Sequence, residues 1–581
     1  NLLSIEDNIR EHLAVIGVSV TPRYLSKTDF NAAHQSGDFH LSFTETWGAP
    51  YDPHAYASGW IAGDEGHKQA MTNLEAPVTR DSLFADIDDV LTETDHKTRE
   101  SKWSNIHQTV HDQAVMLPLW GKRIPTILNN RLVGYVAGSQ QFDYPVHMLK
   151  VISGPKTVTI APGAQSGLFQ SVGRLDPHSY RPNEFFANNW VYEGLVSYGS
   201  QGQTIPALAK NWTITDNVDG TQTYFFTLQD GVKFHDGTLW NCDAAKLNFD
   251  HVLAEPLRTA DYHGWYGLMS QVSSWSCDTA TDDFVVNVKS KYYPFLQELS
   301  FIRPLRMLSP ASFSPAGDHL SANSCPEGWE TVTLGDISVT CAGINGTYGT
   351  GPFVFNSRSS IEVDGETVDE EVIFDRNENY WGGVADIEQL RVVRYGSSEE
   401  VKNALLVDRS LDIVWGAGVM QANDIADLED DEVTSESFSI FHTDDIQNAL
   451  LLLNTGKAPL DDINVRRALI HAVDKKAIIE EELGGDTRPV DNVFPLDAPY
   501  SDIDLTPRWD YDIQKAKFLN CPEEEGGEGE SDDEALIIGL AVGFGILTLS
   551  LAAGLIYFSQ RSKRFEQDLE GLRMNQEATK V

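Results

Sequence analysis

The sequence predicts an α/β protein with more than one hydrophobic core, followed by one stretch able to cross a membrane. Three observations carry this. The chain has 581 residues, too many for one compact core and enough for two or three. Segments with helical spacing of apolar residues alternate with strand-like segments, and a hydrophobic fraction of 41% is that of a folded chain. Ala535 to Phe558 then runs without a single charge, long enough as a helix for about 30 Å of hydrocarbon.

Composition narrows the function classes. Acidic residues number 86 against 43 basic ones, a formal net charge of −43. That field repels nucleic acid, which is not an expected partner, and it reads as a solvated acidic surface. No nucleophile elbow, Walker loop, HExxH motif or CxxC pair occurs, so neither an enzyme nor a resident cofactor is expected. Cys325 and Cys341 bracket a Gly- and Thr-rich insertion, and Cys242 and Cys277 flank a helical segment. Two disulfides are expected in an oxidising compartment, with Cys521 left free. Asn211 and Asn345 begin glycosylation sequons. The chain starts at Asn1 with no signal-like segment, which fits a processed or a fragmentary sequence.

In order, Ser4 to Ile16 has Ile5, Ile9, Leu13 and Ile16 on one helical face, with Ser4 and Asp7 as a capping box. A strand over Gly17 to Thr21 follows, then alternation of Phe39, Leu41 and Phe43 before "TETWGAPYDPHAY". Trp103, Ile106 and Val110 form a helical stripe leading into an apolar strand, "AVMLPLW", from Ala114. Residues 151–174 are rich in Gly, Ser and Pro and read as a joining segment. Between Trp190 and Thr238 lies a β-hairpin. Thr213 to Thr215 forms one arm, Asp219-Gly220 the turn, and Thr221 to Leu228 the other arm. Ser397 to Glu400 caps a helix, and "LLLNTGKAPLDDINVRRALIHAVDKKAIIEEELGG" reads as a buried strand and two helices.

Past Asn520 the character changes. Residues 521–534 carry eight acidic side chains and no apolar one after Pro522, an expected disordered spacer. Residues 535–558 are the expected transmembrane helix. Arg561, Lys563 and Arg564 follow it while the other flank is acidic. The tail 559–581 is therefore expected in the cytosol and the large domain outside.

Several of these stretches resemble a known family. "YEGL", "IPALAKNW" and "GVKFHDGT", together with "YYPFLQEL", "YGTGPFVF" and "DRNENYWGG", look like family 5 solute-binding proteins. These are the peptide- and nickel-binding receptors of ABC importers. "TWGAPYDPHA" and "HDQAVMLP" are most similar to the periplasmic nickel-binding receptors of that family. The resemblance implies a two-lobed periplasmic-binding-protein-like α/β fold of type II. It covers roughly residues 1–150 and 175–520, in swapped order. Circular permutation and a fragment of a tandem pair both fit. Residues 1–117 are then the C-terminal part of lobe II, 118–446 lobe I, and 447–520 the N-terminal part of lobe II, with hinge crossings near Leu117 and Ile446.

By the same resemblance, Trp47, Tyr51, Trp265 and Arg303 line the cleft. The aromatics would stack on a small chelator, and the arginine would pair with its carboxylates as a planar fork. Arg303 also stands in an apolar run, "LSFIRPL", where a buried charge needs an anionic partner. Two positions depart from the family pattern. Tyr262 stands where a second arginine is expected. The metal-ligating histidine falls by direct counting on Glu65, and His67 is reached only with a short insertion. The implied ligand is nickel or a metal chelate, captured by lobe closure and passed to an ABC permease. A di- or oligopeptide is the rival ligand, and a signalling or adhesion receptor without transport the rival function.

Overall fold

Two sheets, each with a strand buried at every position, carry most of the fold. The computed structural model describes residues 2–520 except 47–51, 63–65, 139–142, 163–171, 179–186, 200–201, 260–266, 279, 282, 316, 330, 335, 364–365, 417–419, 421, 431–435 and 486. It also describes residues 536–542.

The first sheet runs in the order Val18–Tyr24, Leu536–Val542, Leu41–Glu45, Gln447–Leu453 and Met116–Lys122. Gln447–Leu453 is buried throughout, between antiparallel neighbours on both sides. A strand covered on both faces reads as a continuous apolar run, as "NALLLL" does. Helix Leu2–Ala14 lays Ile5, Ile9 and Leu13, each at most 2% exposed, onto the core shared with Leu451 and Ile470. Each such side chain stabilises by about 1.5–3 kcal/mol. The helix starts two residues before Ser4, so Ser4 lies in its first turn and not at the cap expected for it. Gly17, at a φ of +80°, ends the turn that follows, its N–H returning to the Ala14 carbonyl at 3.0 Å.

The second sheet runs Phe353–Val363, Glu366–Arg376, Gln389–Val393, Thr157–Pro162, Ile413–Trp415, Pro125–Asn129 and Phe438–His442. Thr157–Pro162 is parallel to both of its neighbours and buries Val158 and Ile160 completely. This corrects the reading of 151–174 as a joining segment. The β-branched run Thr157 to Ile160 is a strand signal that the flanking glycines and prolines obscure.

Residues 1–150 do not form a domain of their own. Leu41–Glu45 and Met116–Lys122 flank Gln447–Leu453, and Pro125–Asn129 lies between Ile413–Trp415 and Phe438–His442. The chain passes between the sheets at Arg123–Ile124 and again at Thr443–Ile446. These crossings are bonded to each other, Ile124 N to Thr443 Oγ1 at 2.9 Å and Ile446 N to Lys122 O at 2.9 Å. The first crossing lies beyond Leu117, because Met116–Lys122 belongs wholly to the first sheet.

A third, four-stranded antiparallel sheet contains the expected hairpin. Ala209–Asp216 pairs with Gln222–Leu228, with Ile214 opposite Tyr224 and Gly220 in the turn at a φ of +88°. Disulfides join Cys242 to Cys277 and Cys325 to Cys341, each pair with a Cα–Cα distance of 5.6 Å.

The C-terminal apolar run differs from its expected form over the part described. Leu536–Val542 is a strand, parallel to Val18–Tyr24 and to Leu41–Glu45. A short uncharged run rich in Leu, Ile and Val suits an interior strand of a sheet as well as a helix. Among the described residues no helix is long and apolar enough to cross a membrane. Residues 543–558, the 521–534 spacer and the 559–581 tail lie outside the described residues.

Candidate ligand-binding cleft

The residues expected to touch a ligand sit on three separate segments. Residues 47–51 join strand Leu41–Glu45 to helix Pro53–Ala62. Residues 260–266 separate helix Glu255–Thr259 from helix Leu268–Gln271, and Arg303 follows helix Phe295–Ser300. Trp47, Tyr51, Tyr262 and Trp265 therefore lie outside the described residues. Their flanks, Arg303 and His67 are described.

Arg303 is 3% exposed, between the fully buried Ile302 and the 1% exposed Leu305, as its place in an apolar run implies. His67 opens the short helix His67–Ala70 and is buried in the lobe built on the first sheet. Its Nε2 lies 2.8 Å from the Tyr56 hydroxyl, with the Tyr56 and Trp60 rings beside it. Burial, with a smaller contribution from His34, takes its imidazole down to about 3 and keeps it neutral. As placed, His67 is a core imidazole.

The flanks of the three segments meet in one buried polar network. Asp52 Oδ1 accepts hydrogen bonds from His54 N at 3.0 Å and Tyr293 OH at 2.6 Å, and lies 3.0 Å from His54 Nδ1. Trp103 Nε1 donates to Tyr293 OH at 3.0 Å. On its far side, His54 Nε2 lies 3.4 Å from Glu298 Oε1. Glu298 also accepts from Tyr292 OH at 2.5 Å, Leu268 N at 2.5 Å and Gly267 N at 3.3 Å. Asp52, His54 and Glu298 are each at most 2% exposed. Burial disfavours charge on the His54 ring, but Asp52 and then Glu298 outweigh it and hold the imidazolium up to about 9.

None of these three was singled out from the sequence, although for Glu298 the signal was present. Glu298 is a charge in the apolar run "YYPFLQELSFIRPL", the same argument that selected Arg303. Asp52 and His54 sit inside "TWGAPYDPH". The histidines His178, His235 and His111 lie near backbone carbonyls: Arg306, Gly351 and Pro507 respectively.

Known proteins resemble this chain over much of its length. A family model described as "Bacterial extracellular solute-binding proteins, family 5 Middle" matches residues 203–533, more than half the chain. The nickel-binding periplasmic protein of Escherichia coli (strain K12) is 33% identical over 350 residues, 60% of this chain and 58% of that protein. The dipeptide-binding protein of the same strain is 25% identical over 394 residues, 64% of this chain and 66% of that protein. The chain thus spans less than two thirds of the length of each of these relatives. The crystal structure of NikA from Brucella suis in complex with Fe(III)-EDTA has a TM-score of 0.50 at 25% identity. That match covers 70% of this chain and 77% of NikA. Its two-lobed α/β form agrees with two sheets joined by paired crossings. The chain belongs to family 5 of the bacterial extracellular solute-binding proteins, a family of ligand-carrying receptors that are not enzymes.

Proposed function

We propose that this protein is a membrane-tethered extracytoplasmic receptor that captures a small ligand between its lobes for transport, nickel or a metal chelate in preference to a peptide. The observation that carries the reading is the polar network, which gathers Asp52 and Gly267, the residues that follow 47–51 and 260–266, and the helix before Arg303. Concave sites between lobes that close on a hinge are where such receptors hold solutes. The nickel-binding relative and the Fe(III)-EDTA complex of NikA support a chelate. The dipeptide-binding relative keeps a peptide as the rival.

In this reading Trp47, Tyr51 and Trp265 stack on the ligand, Tyr262 lies beside them, and Arg303 pairs with its carboxylates. An ABC permease is the receiving partner. The swapped order of the two blocks is a circular permutation or a tandem fragment. In the tethered form 535–558 makes the span, and Leu536–Val542 then leaves the first sheet. Asn211, exposed on its strand, is the better glycan acceptor; the Asn345 amide donates to the Phe313 carbonyl at 3.2 Å.

Isothermal titration with nickel(II) chelated by EDTA, by L-histidine, and with dipeptides tests the reading. Arg303→Ala should weaken the carboxylate-bearing chelates by about 1.5–3 kcal/mol, the range for hydrogen bonds to a charged group. His67→Ala should leave chelate binding unchanged, because the buried imidazole is held against Tyr56; selective loss of the metal-loaded ligand would instead make it a metal ligand. Binding of dipeptides alone would overturn the chelate reading.

A further inference from the structure

The Asp52–His54–Glu298 network joins two different hydrophobic cores. Trp103 and Tyr56 belong to the core packed under Leu450 and Leu452, and helix Pro53–Ala62 carries His54 there. Tyr292, Phe295 and Leu299, around Glu298, belong to the core of the four-stranded sheet. The 123–124 and 443–446 crossings are one connection between the lobes. The network is another, made by side chains instead of chain continuity.

We propose that His54 and Glu298, supported by Asp52 and Tyr293, are positioning residues: a buried interlobe clamp whose single imidazolium holds the lobes shut around the ligand and lets them part when its proton leaves. The proposal rests on the receptor reading above for its role, although the clamp itself requires no ligand.

Charge accounting supports it. Two carboxylates face one imidazolium across the lobe boundary. Among the described residues Arg99 also reaches the network, its guanidinium 4.4 Å over the Tyr293 ring and its Nε bonded to Tyr500 OH at 2.7 Å, and Glu100 acts on Tyr500 from the same helix. His107, on the same helix as Trp103, is kept neutral by burial at about 4. Tyr198, Tyr292, Tyr293 and Tyr500 are all pushed up, chiefly by burial, so they stay protonated donors. Loss of the His54 proton removes the positive charge that lies between Asp52 and Glu298, a costly change at a buried site. The closed form binds the proton more tightly than a free histidine does. Its stabilisation is complete below about 6.5, the ordinary imidazole value, and is lost as pH rises through about 9.

The test uses the full chain in detergent, ligand-free, with Cys521→Ser and spin labels at Asp81→Cys and Val218→Cys, both exposed and on opposite lobes. The closed-to-open ratio should fall about tenfold or more between pH 6.5 and 9.5. His54→Gln and Glu298→Gln should be open at every pH. Tyr293→Phe, which removes one hydroxyl from Asp52, should open partly and keep the pH dependence, and it serves if the other variants do not fold. A wild-type distance insensitive to pH, or variants with the wild-type profile, would overturn the clamp. Adding nickel(II) with L-histidine separates the two claims. A pH response without closure by that ligand supports the clamp and counts against the chelate receptor. Closure by the ligand with no pH response does the reverse.

Discussion

Arg466 shows how single side chains hold the two ends of this chain together. Fully buried, it donates from Nε and Nη2 to the Gln113 carbonyl at 3.1 and 2.9 Å and from Nη1 to Leu460 O at 2.7 Å. Burial lowers its guanidinium to about 10, still charged at neutral pH. Arg466→Ala strips both carbonyls of their donor and should cost about 3 kcal/mol, read as a shift in the urea midpoint of the whole protein. Buried imidazoles give a second residue-scale expectation. Burial takes His34 and His235 down to about 4 and His67 to about 3. The unfolded chain binds protons below about 6.5 that these rings refuse, so their contribution is full above that value and declines toward pH 4. Urea midpoints at pH 7.5 and 5 should show the loss; an unchanged midpoint would contradict these placements. Residue legibility followed charge. Arg303 stood out as a cation in an apolar run, whereas His54 and Asp52 carried no such contrast and emerged only when two distant segments met.

Among elements, the legible ones had a period. The Ile5–Leu13 stripe, the hairpin at Asp219-Gly220 and the uniform strand Gln447–Leu453 each declare themselves through spacing or turn chemistry. Thr157–Pro162 did not, since its strand signal is four residues long among turn formers. The apolar run after Ala535 is ambiguous for a physical reason, because an interior sheet strand and a membrane helix ask for the same composition. The two placements exclude each other: with 536–542 in the sheet, residues 543–558 are too few for the roughly 20 a span needs. Protease added to intact cells should digest the body and spare the 559–581 tail if the span forms; removal of the tail alone would reverse the orientation. The Cys325–Cys341 bridge should contribute about 3 kcal/mol by closing its short loop. Thiol labelling of the unreduced, denatured protein should reach Cys521 and neither partner of that pair.

At the scale of the molecule, the order of segments in sequence hides their order in space. Strands from 1–150 enter both sheets beside strands from 389–453, and no local pattern in either block announces that pairing. Only the resemblance of both blocks to one family did so. The lobes are linked at the crossings and again at the His54–Glu298 network. Native mass spectrometry of the purified full chain tests that account most directly, with Arg303→Ala beside the wild type. One small ligand per chain, containing a metal and lost from the variant, is the predicted result. A wild-type chain that carries no small ligand and takes up none from nickel(II) with L-histidine would contradict it.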